Sequence, residues 1–487
     1  MGKFNNSSTV ASPKKQKQIP NTINQAGGLA FTLDDQLQLV ALLAASFTQQ
    51  QAYSSGSDQI QRMVELGKKV DPLFAAKAAI YARDKMNMRS ITHVLAATIG
   101  SVAKGLPWTK NFFDKIVVRP DDMIEIIGFS KSHFGKHLPA AMKKGFAKAF
   151  SRFDDYRLRK YRGTGSLTLV DVARLVHPKG IDGSPVHKLI YDKLPLADTW
   201  ETKVSAAGSD ASAKTDAWAD LLKEKKLGYM ALLRNLRNIL NTGDGGLIGL
   251  ACEQLIDPGR IAKSRLLPFR FYSAFRELSN EPNSRLVIDA ISRACDISLG
   301  NLTAQFEGST LVAVDTSGSM GQPVGGGKLS CMEAGLLFGS AVYKAIPDSD
   351  IMIWADDSRT VNQISDMPVI GLTQGLLGHS SGVVGHGTNI DSIFQRATKK
   401  YDRICIMTDM QSWRHKGTAS FEHYKREFKA NPWIHWFDLS GAGSAVLPVD
   451  GSKCSFIPGF SDKVIDLLAK VEEDPRAMIT EIEAIEL

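Results

Sequence analysis

The feature that most restricts this chain of 487 residues is a change of hydrophobic period near residue 300. Across residues 32–298 apolar side chains return every three or four positions, as a helix buried on one side requires. Beyond residue 301 they arrive instead in runs of five or six, each long enough for one buried strand and each followed by a helical stretch. The chain is also longer than one hydrophobic core usually serves, so two folding units are expected.

In the first unit several helix starts are marked. Asp71 precedes Pro72, which suits the first helical position, and Thr32 with Asp35 three residues on reads as a short capping-box variant. Helices are expected over 59–70, 73–85, 91–103, 120–129, 139–150, 169–176, 217–222, 229–241, 266–278 and 284–299, with short connections carrying Gly, Pro, Asn or Ser. Such a series fits stacked helix pairs, an α-solenoid of HEAT-like type, and because no sequence period is visible an irregular helical domain is the alternative. Residues 206–215 (AAGSDASAKT) read as a low-complexity loop. In the second unit, strands at 310–314, 350–355, 403–408 and 433–439 alternate with helices at 329–345, 389–399, 421–429 and 461–472. That is β-α alternation around a mostly parallel sheet, whose ligands bind at the carboxyl edge.

Charge divides the chain at the same place. Residues 1–300 hold 43 Lys and Arg against 28 Asp and Glu, a balance of +15, whereas residues 301–487 hold 16 against 23, a balance of −7. A basic larger unit points to a polyanionic partner, with mere solubility as the alternative. Residues 1–20 are mostly Lys, Ser, Asn and Gln without an apolar stretch, so a disordered basic arm is expected over 1–26 and no export signal. No apolar run approaches the roughly 18 to 20 residues of a membrane span. Cys252, Cys295, Cys331, Cys405 and Cys454 are an odd, scattered set, which excludes a disulfide framework and a cysteine zinc site and fits the cytoplasm.

The loop after the strand at 310–314 carries the sharpest motif. Asp315-Thr316-Ser317-Gly318-Ser319-Met320 turns one carboxylate and two hydroxyls toward a common point, a donor set for a hard cation, Mg²⁺ first and Mn²⁺ or Ca²⁺ as alternatives. Thr388 opens a later helix and Asp409 ends the strand that begins at Arg403. The set Asp-x-Ser-x-Ser, Thr, Asp resembles the metal-ion-dependent adhesion site of von Willebrand factor A-type domains, with Asp315, Ser317, Ser319, Thr388 and Asp409 on the five family positions. The alternative is a Ser-rich turn and a helix-capping Asp409. Gly325-Gly326-Gly327-Lys328 fails the phosphate-loop pattern, with Gln322 where Gly is needed and Leu329 where Ser or Thr is needed. Ser317 or Ser319 as a nucleophile, with His379 or His386 as base, lacks a GxSxG elbow and an oxyanion donor set, so a hydrolase is the weakest reading.

The densest basic segment spans 136–179. Lys143, Lys144, Lys148, Arg152, Arg157, Arg159, Lys160 and Arg162 alternate with Phe146, Phe150, Phe153, Tyr156 and Tyr161. Cations that track phosphates between aromatics that stack on bases make a surface for single-stranded nucleic acid, and an amphipathic helix with a Phe core face is the alternative. No helix-turn-helix, zinc-finger, RRM or KH pattern is found.

Further on stand Asp171-Val172-Ala173-Arg174-Leu175-Val176-His177-Pro178-Lys179 and Leu227-Gly228-Tyr229-Met230-Ala231-Leu232-Leu233-Arg234-Asn235-Leu236-Arg237-Asn238. A basic helical domain with these segments ahead of an A-type domain resembles the TROVE family, the Ro autoantigen and its bacterial orthologues, over nearly the whole chain after about Gly27. One departure is Leu169-Val170 before Asp171, where the family usually has His followed by a basic residue. The resemblance implies a HEAT-like helical ring over 27–300, closed by a von Willebrand factor A-type domain over 301–487 with a metal-ion-dependent adhesion site. It also implies an RNA-binding protein of noncoding RNA quality control and not an enzyme, with Y-like RNAs on the basic outer surface and single-stranded 3′ ends of misfolded RNAs in a central hole. A 3′ exoribonuclease is the implied protein partner, and Lys160, Arg162, Arg174 and His177 would line or border the hole. The candidate RNA contacts are Lys143, Lys144, Lys148, Arg157, Arg159, Lys160, Arg162, Arg174, His177, Arg234 and Arg237. A metal-dependent protein-interaction adaptor is the second reading.

Overall fold

The computed structural model describes residues 20–24, 27–45, 56–135, 137–195, 200–266, 268–299, 306–322, 329–361, 366–380, 383–411, 419–440, 444–446, 453–458, 463–474 and 476–487. The first 19 residues of the expected arm and residues 325–328 lie outside these. The arm's described end is ordered: β1 (Thr22–Ile23) pairs antiparallel with β2 (Leu29–Thr32), and Asn24 is buried.

Helices then follow one another from Asp35–Ala45 to Arg285–Leu299. Their starts obey local capping chemistry. The Asp71 carboxylate accepts from the Phe74 N–H at 2.9 Å ahead of Pro72, and Thr168 and Asp171 form a reciprocal capping box on Leu169–Val176. At the first helix the cap is Asp34, whose Oδ1 accepts from Leu37 N–H at 2.8 Å, and not Thr32, which is spent in β2. The expected loop at 206–215 is also corrected. Asp210 accepts from the Ser212 and Ala213 N–H groups and starts the helix Ala211–Lys223 two residues after Trp200–Ala206 and its turn give out. Alanine there favours helix more than serine opposes it. Most helices pack on helices one or two places along the chain, as Gly56–Lys69 on Ser90–Val102, Ser90–Val102 on Pro120–Phe134, Thr109–Lys115 on Ala140–Ala149 and Tyr229–Leu240 on Gly245–Leu255, while Gly245–Leu255 also packs on Arg285–Leu299 three places on. This is the contact pattern of a solenoid.

The second unit is a six-stranded sheet. Its strands are β3 (Thr310–Asp315), β4 (Ser349–Trp354), β5 (Ser358–Val361), β6 (Arg403–Thr408), β7 (Trp433–Asp438) and β9 (Cys454–Pro458), with the short β8 (Ser444–Ala445) outside it. The order is β5-β4-β3-β6-β7-β9, parallel throughout except for the antiparallel edge strand β5. β3 and β6 are buried along their whole length, which their unbroken apolar runs require. The helix Cys331–Ala345 lies so close to β3 that a Cβ at Gly339 would stand 2.5 Å from Val314 Cγ2. Chain direction leaves β3 toward β4 on one side and toward β6 on the other, so the crevice at the carboxyl ends of β3 and β6 is a topological switch point.

The α/β unit touches both ends of the helical series. On one side Pro268–Leu278 and Arg285–Leu299 pack on Cys331–Ala345 and Val369–Ser380, with Arg276 paired to Glu333 at 2.9 Å and Val369 N–H on Asp296 at 3.0 Å. On the other side β2 pairs antiparallel with β8, and Asp35–Ala45 packs on β9. The helix Ala477–Glu483 lies on Pro72–Asp84, where Tyr81 donates to Glu481 at 2.9 Å, Lys77 to the Glu483 carbonyl, and Lys115 to the Glu486 carbonyl at 2.7 Å. The helices and the sheet domain thereby close a ring. No helix among the described residues is long and apolar enough to cross a membrane.

Candidate metal centre and nucleic-acid interface

The carboxyl edge of the sheet brings four of the five motif residues under cover. Asp315, Ser317, Thr388 and Asp409 are buried, and Ser319 is half-buried. Asp315 ends β3, where its Oδ2 accepts from the Thr408 hydroxyl of β6 at 2.7 Å and its Oδ1 from the Ser317 N–H at 2.8 Å. The Ser317 and Ser319 hydroxyls stand 3.3 Å apart, and Asp409 Oδ1 accepts from Gln411 N–H at 3.1 Å. Burial, with the nearby Asp409 charge second, pushes the Asp315 carboxyl up to about 7. Burial likewise pushes Asp409 up to about 6 against the Ser319 hydrogen bond that favours its ionised form. Two carboxylates held among hydroxyls, neither ion-paired among the described residues, form a site whose charge a divalent ion would neutralise, and the all-oxygen donor set fits a hard one. Among the described residues no group of three or more His, Cys, Asp and Glu forms a metal cage, and the motif itself contributes two carboxylates and three hydroxyls, with the buried Asp438 charge acting on Asp409 from the end of β7.

Thr388 reaches this edge on a loop the sequence gave no reason to connect to Asp356. Asp356 Oδ2 accepts from the N–H groups of His386 at 3.1 Å and Gly387 at 2.9 Å, and its carbonyl accepts from the Asn389 amide at 3.1 Å. A Cβ at Gly385 or Gly387 would collide with the Asp356 side chain, and Gly385 has φ +81°, so both glycines serve this approach. The same loop returns the His386 carbonyl to the Gly318 N–H at 2.9 Å, which ties it to the Asp315 turn. His386 itself is exposed, and neither its ring nor that of His379 hydrogen-bonds to Ser317 or Ser319.

The basic residues of the helical unit fall into two groups. In the first, Lys148 is bound to Asp114 at 2.7 Å, Arg162 pairs with Asp192 with Arg159 at 4.0 Å from the same carboxylate, and Arg237 is held by Glu281 at 2.8 Å and Glu277 at 3.3 Å. Lys160 lies over the ring of Tyr156 at 5.5 Å. In the second group Lys143, Lys144, Arg157, Arg174 and Arg234 make no ion pair among the described residues, and all but the half-buried Lys143 are exposed. His177 is exposed too, capping Leu169–Val176 in the left-handed conformation at φ 52°. The expected interleaving of aromatics is corrected. Phe146, Phe150 and Phe153 are core residues, Tyr161 is half-buried under the Arg119 guanidinium at 4.3 Å, and Tyr156 alone of the five is exposed, at 44%. Helical spacing around Ala140–Ala149 turns those Phe side chains inward while its lysines stay wet.

Sequence reading missed Arg270, which sits beside Arg234. Burial first and the Arg234 charge second lower its affinity for its proton, so two like charges face each other there. They are 36 residues apart, on Tyr229–Leu240 and Pro268–Leu278, and only the contact between those helices reveals the pair.

A model of the TROVE domain matches residues 24–191 and 191–286. The chain is 22% identical to telomerase protein component 1 of Rattus norvegicus over 330 residues, 49% of this chain and 12% of that protein. It is 24% identical to telomerase protein component 1 of Mus musculus over 293 residues, 42% of this chain and 11% of that one. The chain thus spans only a small part of the length of these relatives. The crystal structure of the Deinococcus radiodurans RO (RSR) protein has the same fold, with a TM-score of 0.60 and 17% identity over 90% of this chain and 100% of that one.

Proposed function

Since the chain belongs to the TROVE-domain family, whose shared activity is RNA binding, we propose that it serves noncoding RNA quality control. In this reading Y-like small RNAs lie on the basic outer surface of the helices, and single-stranded 3′ ends of misfolded RNAs enter the central hole. The observation that carries it is the set of cations that make no ion pair among the described residues: Lys143, Lys144, Arg157, Arg174 and Arg234. Charge presented without an internal partner is available to phosphates, whereas Arg237 and Lys148 are already engaged. Arg174 and His177 border the hole, with Lys160 and Arg162 beside them. The protein works in the cytoplasm, where its five buried cysteines, none of them in a disulfide, stay reduced.

Asp315, Ser317, Ser319, Thr388 and Asp409 would hold a divalent ion, Mg²⁺ before Mn²⁺ or Ca²⁺. When bound, that ion supplies positive charge to two buried carboxylates and an open position for an acidic group of a protein partner, such as a 3′ exoribonuclease. The second reading, a metal-dependent interaction adaptor, rests on this cluster and adds to RNA binding without replacing it.

The test is retention of labelled RNA at several salt concentrations with divalent metal present. Binding that falls steeply with salt, without cleavage of the RNA, is the expected result. Arg174→Ala and His177→Ala should weaken binding of RNAs with free single-stranded 3′ ends more than of structured ones. Equal loss on both would remove these residues from the hole, and cleavage by the pure protein would restore the enzyme reading.

A further inference from the structure

Beside the basic segment lies a cleft of about 450 Å³, built where Ser90–Val102, Thr109–Lys115 and Ala140–Ala149 meet. Gly100 lines it, where a Cβ would stand 3.3 Å from Phe113 Cζ and 3.5 Å from Pro139 Cγ. Next to the cleft a Cβ at Gly145 would stand 2.5 Å from Phe113 Cβ and 2.7 Å from the Lys110 carbonyl, so Ala140–Ala149 and Thr109–Lys115 approach backbone to backbone. The walls are carbon: Leu106, Pro107, Phe113 and Pro139, with Leu106 40% exposed at the mouth. The Thr109 hydroxyl is turned away, donating to the Leu106 carbonyl at 2.6 Å.

Around this apolar floor stand Lys104, Lys110 and Lys144, all exposed, and none of them makes an ion pair among the described residues. Nearby Asp114 offers no relief, because Lys148 and Arg152 already occupy it. A ligand that suits the site has a flat or apolar body and negative charge on more than one side. We propose that the cleft receives one unstacked base of a bound RNA, with the flanking phosphates on Lys104, Lys110 and Lys144. This rests on the RNA-binding reading and deepens it.

The lining decides what kind of recognition follows. Because the walls are mainly carbon and the lysines stand at the rim, the cleft holds a base chiefly by its faces, so it selects unstacked nucleotides more than a sequence. Bulges and loops offer such bases, and a fully paired stem does not. An acidic peptide with one apolar side chain has related chemistry. The observations favour RNA because further cations without an ion pair among the described residues stand on the same and the adjoining helix, Lys143 on Ala140–Ala149 and Arg174 on Leu169–Val176, which packs on it.

The experiment uses the full chain, a short RNA hairpin with one bulged 2-aminopurine, and the same hairpin without the bulge. The wild type should bind the bulged form about tenfold more tightly, as one stacked base is worth. The fluorescence of the bulged base should change on binding. Leu106→Asp should abolish that preference. Lys104→Gln, Lys110→Gln and Lys144→Gln together should flatten the salt slope by about three, since each phosphate contact contributes roughly one. Equal wild-type affinity for the two hairpins overturns the cleft alone. Retention of the preference by Leu106→Asp overturns it as well, as does displacement of the bulged base by a Glu-Glu-Phe-Glu-Glu peptide. If neither hairpin binds at low salt, the RNA-binding reading falls with it.

Discussion

Asp122 and Asp315 are both fully buried carboxylates, and they behave in opposite ways. Asp122, at the start of Pro120–Phe134, is met by Arg83 at 3.0 Å, Arg89 at 3.2 Å, His93 at 2.9 Å and the N–H groups of Val118 and Arg119. Burial pushes its carboxyl up, but His93 and Arg83 outweigh this and hold it well below the usual carboxylate range. Asp315 has the Thr408 and Ser317 hydroxyls, the Ser317 N–H, a second carboxylate nearby, and no ion pair among the described residues. The lesson is that the helical unit spends its buried acids on its own stability, whereas the α/β unit keeps an acid whose ordinary charge the fold does not balance. An uncompensated buried charge at a loop-lined edge marks a place for something from outside the chain.

The sharpest way to break that contrast is substitution of both residues. Asp122→Ala should destabilise the protein by about 3–5 kcal/mol in chemical denaturation, because Arg83 and His93 are left buried without their partner. Asp315→Ala should cost far less in the absence of divalent ions, yet abolish Mg²⁺ or Mn²⁺ binding in calorimetry while RNA binding persists. Equal loss of stability in the two variants would end the distinction, and calorimetry that finds no ion binding to the wild type would end the metal site.

A second contrast lies within the α/β unit. Glu472 is pushed up by burial, but hydrogen bonds from Arg403 at 2.6 Å and His435 at 3.0 Å outweigh this and hold it at about 2. A carboxyl depressed from 4.5 in the folded state stabilises the fold above that value and loses the contribution as pH falls toward 2. Glu472→Gln should therefore remove on the order of 2 kcal/mol of stability at neutral pH and flatten the acid limb of the unfolding curve between those values. An unchanged acid limb would show that the Arg403 and His435 contacts do not persist in solution.

Smaller effects sharpen the comparison further. Asp356→Ala should release the loop that carries Thr388 and weaken divalent-ion binding about tenfold, the cost of roughly one lost positioning interaction, with thermal stability nearly unaltered. Wild-type ion affinity in that variant would mean that the loop holds its place without Asp356. The smallest effect expected is a change of slope. Lys144→Gln should lower the salt dependence of RNA binding by about one phosphate, while Arg237→Gln, whose partners are Glu277 and Glu281, should leave that slope as it is. The reverse outcome would exchange the roles of the paired and unpaired cations.

How far the sequence could be read follows from the range of the forces involved. The strands β3, β6 and β7 are legible because a strand buried on both faces must be apolar throughout, and the Asp315 turn because five donors fall at strand and helix ends. Helices as short as Thr109–Lys115 and Asp155–Lys160 escaped, since two turns give too little periodicity to register. So did the edge strands β5 and β9, whose pairing depends on neighbours elsewhere in the chain. The basic face was legible as charge but not as available charge. Whether Lys148 is free depends on Asp114, 34 positions away, and whether Phe146 can stack on a base depends on the helix it packs against.

The joint between the first helices and the α/β unit has a consequence in time. Lys77 and Glu483 meet across 406 positions and Tyr81 and Glu481 across 400, so on a ribosome the helical array stands complete before its seam can be made. Loop closure over such a span costs only logarithmically more entropy than over a short one, but contacts this remote form last. The strand pair β2–β8 has two partners on each side, and most of the polar bonds of the C-terminal helix are at the surface. The seam is therefore the latest part of the molecule to assemble. Amide hydrogens of residues 29–32, held by short pairings, should exchange ahead of those in β3 and β6, whereas Ala477–Glu483, with Met478, Ile479 and Ile482 buried where it lies on Pro72–Asp84, should exchange later than residues 29–32.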